Sequence, residues 1–488
     1  MLNKKLLLLF LIFSFVFRAA SAQFNPDSLE RKVSRIVREY VDTNKAGMVI
    51  GVIRKEGNDL LSKRFSYGHV RKDTSSPRPD SLTIFHIGSV TKTFTATILS
   101  SLIQQGGPLN LNDYVEDHIP EDTVRAPFFV NTSGDTLKMK LIDLATHYSA
   151  LPDDPIHPVN DSTTYQMMYD YLNGHRLLRA PGECYLYSNL GVSFLGVVLT
   201  HTLGKIIDSL FIQKISDPLG LPDTRISLTA EQEIRRATGY GPNGDSVGYF
   251  KNSWPAFYAA GGLYSTLKDF MIYLEFNMGL SNAGMQNVLD SAHLVRRVNN
   301  DTCRNPDSKG RIGLIWQMSP LFPQENPDFY YVWKDGGVPG FSAFICFASD
   351  STGNVKSGVV MMVNQSIPCG RLAVDILKYL NEDILLGEGQ NANEIPVTSR
   401  LYQNYPNPFN PVTKINFSVG SNILNNSLHV SLRIFDITGK EIITLVNGIL
   451  EPGNYTVEFD GKDLPSGVYY SKFTAGSFTE TKSMILIK

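Results

Sequence analysis

Near Gly387 the sequence changes in kind, and that break limits what the chain can fold into. Before it, apolar residues at helical spacing alternate with short β-branched runs. After it come six strand-like runs: Lys414 to Val419, Leu428 to Phe435, Glu441 to Val446, Tyr455 to Phe459, Val468 to Phe473 and Lys482 to Ile487. Turns such as Thr438-Gly439 and Pro452-Gly453 separate them, and no helical pattern intervenes. A large α+β domain followed by a small β-sandwich is expected. The stretch GEGQNANEIPVTSR between them has no periodicity and reads as a linker over 387–399.

The larger part begins with an amphipathic helix, Asp27 to Asn44, whose apolar positions are Leu29, Val33, Ile36, Val37 and Val41. Met48 to Ile53 reads as a strand, with Leu60 to Val70 as its partner. Val90 to Ile103 reads as a buried helix, stopped by Gln104-Gln105-Gly106-Gly107-Pro108. Short helices follow at Met139 to Thr146 and Gly191 to Leu203. Strands are expected at Ala259 to Ser265, Phe341 to Phe347 and Ser357 to Val363, and a last helix at Ala373 to Leu386. Strands at both ends around a helical middle imply a sheet that pairs the two ends of this region.

Residues 1–22 have the layout of a cleavable secretory signal: a basic start at Lys4-Lys5, an apolar run from Leu6 to Phe17, and Ala20-Ser21-Ala22. The run is too short for a bilayer core of roughly 30 Å, and no later run is long enough for a stable transmembrane segment. No cysteine follows the cleavage site, which argues against a lipid anchor. A formal charge of -2 without a basic stripe argues against nucleic acid. The four cysteines, Cys184, Cys303, Cys346 and Cys369, leave their pairing open. The nine histidines form no metal-binding spacing, so no metal is expected.

Three short patterns could carry chemistry. Ser89 and Lys92 stand three apart at the start of the buried helix, where a neutral lysine can activate a hydroxyl. A second copy, Ser265 to Lys268, reads as structural. Tyr187-Ser188-Asn189 offers a phenol for proton relay and an amide to hold a lysine, although Tyr171-Leu172-Asn173 and Tyr405-Pro406-Asn407 match the same spacing. Lys334-Asp335-Gly336-Gly337 offers a cation beside glycines that let a substrate approach a strand backbone. Each pattern is weak alone.

Together and in this order they resemble the penicillin-recognising serine hydrolases, the class C β-lactamase and DD-peptidase-like superfamily. The segments FHIGSVTKTFTA, LIDLATHYSALP, PGECYLYSNLG, AAGGLYSTLKDF and GGVPGFSA carry the likeness over Asp27 to Leu386. The resemblance implies a domain over 23–386 with an antiparallel sheet flanked by helices and a mostly helical subdomain. It implies Ser89 as the acylated nucleophile and Lys92 with Tyr187 as base and acid. Asn189 would orient Lys92 and the substrate, and Lys334 would support the tyrosine and the substrate's charge. The N–H groups of Ser89 and Gly337 would form the oxyanion hole, beside Gly336. It implies no cofactor, and a β-lactam, D-amino-acid peptide or ester as substrate. A different outcome is an inactive relative that binds peptidoglycan fragments or partners at the surface.

Two positions depart from the family. The family's third motif usually reads Lys-Thr-Gly or His-x-Gly, and here Asp335 fills the middle, where it either repels a substrate carboxylate or pairs with Lys334. His147-Tyr148-Ser149-Ala150-Leu151 replaces a segment that commonly holds Thr and Gly around the serine, and reads as scaffold. The tail, 400–488, resembles C-terminal sorting domains of type IX secretion through YPNPFNP, SGVYYSKFTAG and KSMILIK, and is immunoglobulin-like. That resemblance implies a Gram-negative bacterium, passage through the periplasm, and the outer-membrane secretion machinery as partner. The plainer reading is an adhesive or carbohydrate-binding sandwich.

Overall fold

The computed structural model describes 26–382 apart from 41–46, 74, 121, 155–163, 248–254, 282–285, 301–308, 324–325 and 350–354, and 399–488 apart from 405, 421–426 and 477. The signal segment, the linker at 387–398, Val41, Tyr405 and Cys303 lie outside the described residues. The chain divides into a unit spanning Pro26–Asn381 and a unit holding the carboxy-terminal strands.

In the first unit, Met48–Glu56 pairs antiparallel with Asp59–Tyr67 on one side and Val355–Val363 on the other. The two ends of the region therefore share one sheet, as expected. The sheet continues through Phe341–Ser349, Asn326–Val338, Gln317–Phe322 and Lys309–Ile312 to Arg297–Asn300. The amphipathic helix Pro26–Tyr40 buries Leu29, Val33, Ile36 and Val37.

The helix Thr91–Gln104 is buried along almost its whole length although it carries several hydroxyls. The hydroxyls of Thr91, Thr93, Thr95, Thr97 and Ser100 have partners, which removes a desolvation cost of about 1–3 kcal/mol apiece. Thr91 Oγ1 accepts the Leu263 N–H at 3.1 Å, Thr93 Oγ1 accepts the Tyr273 O–H at 3.0 Å, and Thr95 Oγ1 donates to the Ala259 carbonyl at 2.6 Å. Phe94 stacks on Tyr273 with centroids 4.0 Å apart.

Two expected elements need correction. Ala259 to Ser265 is not one strand: Tyr258–Gly261 is a helical turn, and only Tyr264–Thr266 is strand, paired with Ile84–His86. The carbonyls of Ala259 and Ala260 are taken by Thr95 and Lys92 side chains, so no neighbouring strand can use them. The helix expected from Ala373 to Leu386 begins earlier, at Gly370, and runs to Tyr379, after which the Asn381 side-chain amide donates to the Leu377 carbonyl at 2.6 Å; 383–386 lie outside the described residues. Cys184 is disulfide-bonded, while Cys346 and Cys369 are free and buried.

The second unit has a sheet of Arg400–Leu401, Val412–Val419 and Gly453–Asp460, and a sheet of Glu441–Leu450, Leu428–Phe435, Gly467–Ala475 and Phe478–Leu486. Alternate residues from both build one core, where Phe417 and Phe473 lie 4.9 Å apart by centroid. That is a sandwich.

The strand Asn326–Val338 lies against the segment just before the buried helix. A Cβ on Gly336 would collide with the Ile87 carbonyl oxygen, whereas a Cβ on Gly337 would meet nothing within 4 Å. Gly336→Ala is expected to destabilise the unit by about 1–3 kcal/mol, and Gly337→Ala by less than about 0.5 kcal/mol. Denaturant melts of both variants check this contrast.

Candidate active site

Ser89 sits in a 3-10 turn, Gly88–Val90, that runs straight into the helix Thr91–Gln104. Gly88 has φ +50°, and a Cβ on it would stand 2.8 Å from the Gly337 nitrogen. Only glycine allows both the left-handed backbone and this approach. The turn thus brings the backbone of Ser89 beside Gly337 at the start of a helix, where N–H groups and the dipole favour negative charge.

Lys92 is 0% exposed. Its Nζ donates to Ser89 Oγ at 2.9 Å, to Asn189 Oδ1 at 2.5 Å and to the Ala260 carbonyl at 2.6 Å. Burial lowers its pKa below the ordinary 10.5, with Lys334 acting the same way and Tyr187 and Asp153 opposing. Two of its three partners can only accept. Once Lys92 is neutral, its two remaining N–H groups serve Asn189 and Ala260, and its lone pair faces the Ser89 hydroxyl.

The Tyr187 hydroxyl donates to Ser89 Oγ at 2.9 Å. Its ring centroid lies 5.2 Å from Lys92 Nζ and 5.3 Å from Lys334 Nζ. Ser188 caps the helix Asn189–Leu203 by accepting the Gly191 N–H at 2.8 Å. Asn189 donates its main-chain N–H to Asp153 Oδ1 at 3.0 Å and its Nδ2 to Asp154 Oδ2 at 3.2 Å, which turns Oδ1 toward Lys92.

Lys334 is buried, and its Nζ donates to Asp335 Oδ1 at 2.7 Å and to the Asp335 carbonyl at 2.9 Å. The Asp335 side chain is 63% exposed. Partial burial would raise its pKa, but the charge and hydrogen bond of Lys334 outweigh it and hold the carboxylate below the ordinary range. Of the two arrangements open to Asp335, pairing with Lys334 is the one observed.

Lys92 and Tyr187 thus meet at Ser89 Oγ, Asn189 holds Lys92, and Lys334 lies near the Tyr187 ring, with Gly337 against the turn and Asp335 and Gly336 on the same strand. The look-alikes do not. Ser265 is buried with its Oγ 2.9 Å from Thr224 Oγ1, and Lys268 is exposed on the following helix. Tyr171 bonds His175 Nδ1 at 2.9 Å, and Asn173 donates to the Thr123 carbonyl at 3.1 Å. Sequence reasoning missed Asp153, Asp154 and the Ala260 carbonyl. The two acids directly follow Pro152 at the end of the 147–151 segment, and that adjacency was the available signal.

A family model for β-lactamase matches residues 33–380. The chain belongs to the β-lactamase family. It is a serine hydrolase of that family, and a second model, the secretion system C-terminal sorting domain, matches 403–488. The D-alanyl-D-alanine-carboxypeptidase/endopeptidase AmpH of Escherichia coli K12 is 31% identical over 282 residues, 54% of this chain and 68% of that protein. A β-lactamase of Pseudomonas fluorescens is 27% identical over 349 residues, 66% of this chain and 89% of its own. The β-lactamase/D-alanine carboxypeptidase of Yersinia pestis, solved with citrate, shares the fold with a TM-score of 0.54 at 22% identity, over 73% of this chain and 99% of its own. Among the described residues, no single helix is long and apolar enough to cross a membrane. The sorting domain indicates delivery outside the cell or to its surface.

In this β-lactamase-family chain the first Ser-x-x-Lys pair is expected to matter and the second not. Ser89→Ala should lower kcat by about three orders of magnitude or more. Ser265→Ala should leave kcat within about twofold and cost about 1 kcal/mol of stability. Ester hydrolysis and a thermal melt on each variant decide it.

Proposed function

We propose that the protein is an exported serine hydrolase that acts through an acyl-enzyme on an ester or amide. The carrying observation is that Ser89 Oγ has Lys92 Nζ and the Tyr187 hydroxyl each at 2.9 Å. Neutral Lys92 takes the Ser89 proton while Oγ bonds to the substrate carbonyl carbon. The negative oxygen is received by the N–H groups of Ser89 and Gly337. Tyr187 gives its proton to the leaving alcohol or amine as the bond to carbon breaks, and recovers one through Lys92. Water then adds to the acyl carbon by the reverse of these transfers, releasing the acid and Ser89. Lys334 holds the phenol side of this network.

The similar proteins are named as a D-alanyl-D-alanine carboxypeptidase/endopeptidase and β-lactamases, which supports a D-amino-acid peptide, a β-lactam or a related ester as substrate. The Asp335 pair narrows the choice. A carboxylate already occupies Lys334, so a substrate bearing its own carboxylate beside the reacting bond meets a neutralised cation and a negative charge. Neutral esters and amides are favoured over penicillin-like acids. The signal-like layout of 1–22 and the tail support export through the periplasm and across the outer membrane of a Gram-negative cell.

Labelling with a fluorophosphonate, abolished in Ser89→Ala, is the expected outcome. Absence of labelling by both this probe and a fluorescent penicillin would overturn the enzyme reading in favour of a binding protein. The protein should hydrolyse a p-nitrophenyl ester with higher kcat/KM than nitrocefin, and Asp335→Thr should raise kcat/KM on nitrocefin about tenfold, ~1.4 kcal/mol of barrier. Efficient wild-type turnover of nitrocefin would sink the carboxylate argument.

The base must be neutral to act, and its folded pKa is lowered. Activity should therefore rise with pH along a limb that lies below the ordinary lysine value of 10.5. A pH profile of kcat/KM on the ester reads that limb.

A further inference from the structure

Tyr187 is held from three sides by one residue. The His147 carbonyl accepts the Leu186 N–H at 2.7 Å. Its imidazole Nδ1 accepts the Ser188 N–H at 3.2 Å. Its ring lies against the Tyr187 ring, with centroids 4.6 Å apart and planes 34° from parallel. The residue before the phenol, the residue after it and the phenol itself all rest on His147. We propose that His147 is the positioning residue for Tyr187, fixing where the phenol oxygen stands relative to Ser89. This rests on reading Tyr187 as the proton relay.

The chemistry of the imidazole fits that task better than plain filling. His147 is 1% exposed, and its Nε2 has no hydrogen-bond partner among the described residues. A buried nitrogen without a partner has lost its water and gained nothing in return. An apolar side chain would fill the space without that cost, but it could not accept the Ser188 N–H. Nδ1 accepts only while the ring is neutral, with its proton on Nε2. Burial, then the charges of Lys92 and Lys334, hold its pKa well below the usual histidine range. Among the described residues the Tyr185 ring also faces it, edge-on at 5.7 Å. A neutral ring with its proton on Nε2 leaves Nδ1 free to accept the Ser188 N–H.

The backbone supports the same reading. His147 has φ +59°, in the left-handed region where Asn, Asp and His are the tolerated non-glycine residues. The turn is anchored from outside. Arg297 Nη2 donates to Asp143 Oδ1 at 2.6 Å, and the Asp143 carbonyl accepts the Tyr148 N–H at 2.8 Å.

Two variants of the full chain separate a clamp from a spacer. His147→Phe keeps a ring and removes the acceptor. His147→Asn places an acceptor oxygen near Nδ1 and tolerates the positive φ. Hydrolysis of p-nitrophenyl butyrate is followed in both, with thermal melts showing that each is folded, and His147→Leu replaces the Phe variant if that one does not fold. Loss of the acceptor should lower kcat about 10- to 100-fold with KM little changed. The Asn variant should recover most of kcat, and its pH profile should overlay that of the wild type, because His147 carries no proton in the reaction. Wild-type kcat without the acceptor, equal losses in both variants, or a missing limb in the Asn profile would each overturn the proposal. Failure of both a fluorophosphonate and a fluorescent penicillin to label Ser89 in the wild type would instead overturn the hydrolase reading, and this role with it.

Discussion

A single buried amine ties the site together. The Lys92 ammonium has three donors, and three separate parts of the chain satisfy them: Ser89 on its own turn, Asn189 at the start of another helix, and the Ala260 carbonyl. Removing any of these acceptors leaves an uncompensated charge in a buried place, which is among the costliest arrangements a protein can hold. The burial that makes the amine demanding also lowers its pKa. One arrangement therefore fixes the geometry around Lys92 and makes its proton easier to remove.

Around that amine the order is imposed by backbone contacts that depend on glycine. Gly88 and Gly336 bring the turn before the helix and the strand Asn326–Val338 together at backbone distance, and Gly337 leaves open space above them. The two glycines on the strand thus differ in purpose. Gly336 packs against the turn, and Gly337 borders open space. Across the cleft, Asp153, Asp154 and His147 come from one short stretch after the helix Leu141–Ala145, and they orient Asn189 and Tyr187.

Much of this was legible before any coordinates. The helix Thr91–Gln104, the pairing of the two ends of the region and the separate β tail follow from periodicity, because burial on one or all faces writes itself into apolar spacing. The segment around Ala260 was misread as strand. Small residues there fit either state, and the deciding partners, Lys92 and Thr95, lie more than 160 residues away in the chain (|i−j| of 168 and 164). The 147–151 segment was read as scaffold because nothing local distinguishes a supporting histidine from one that accepts a particular N–H.

By itself the sequence determined the residue types and their order: a serine with a lysine one helical turn on, a tyrosine with an asparagine two on, and a lysine leading into glycines. Those are local properties of spacing, and spacing is what a chain carries before it folds. Only the tertiary structure decided which of the repeated motifs shares a site, and that Asp335 pairs with Lys334. It also decided that His147 lies on Tyr187. Those outcomes depend on which distant groups arrive within hydrogen-bond distance and which lose water on the way. No local pattern encodes that.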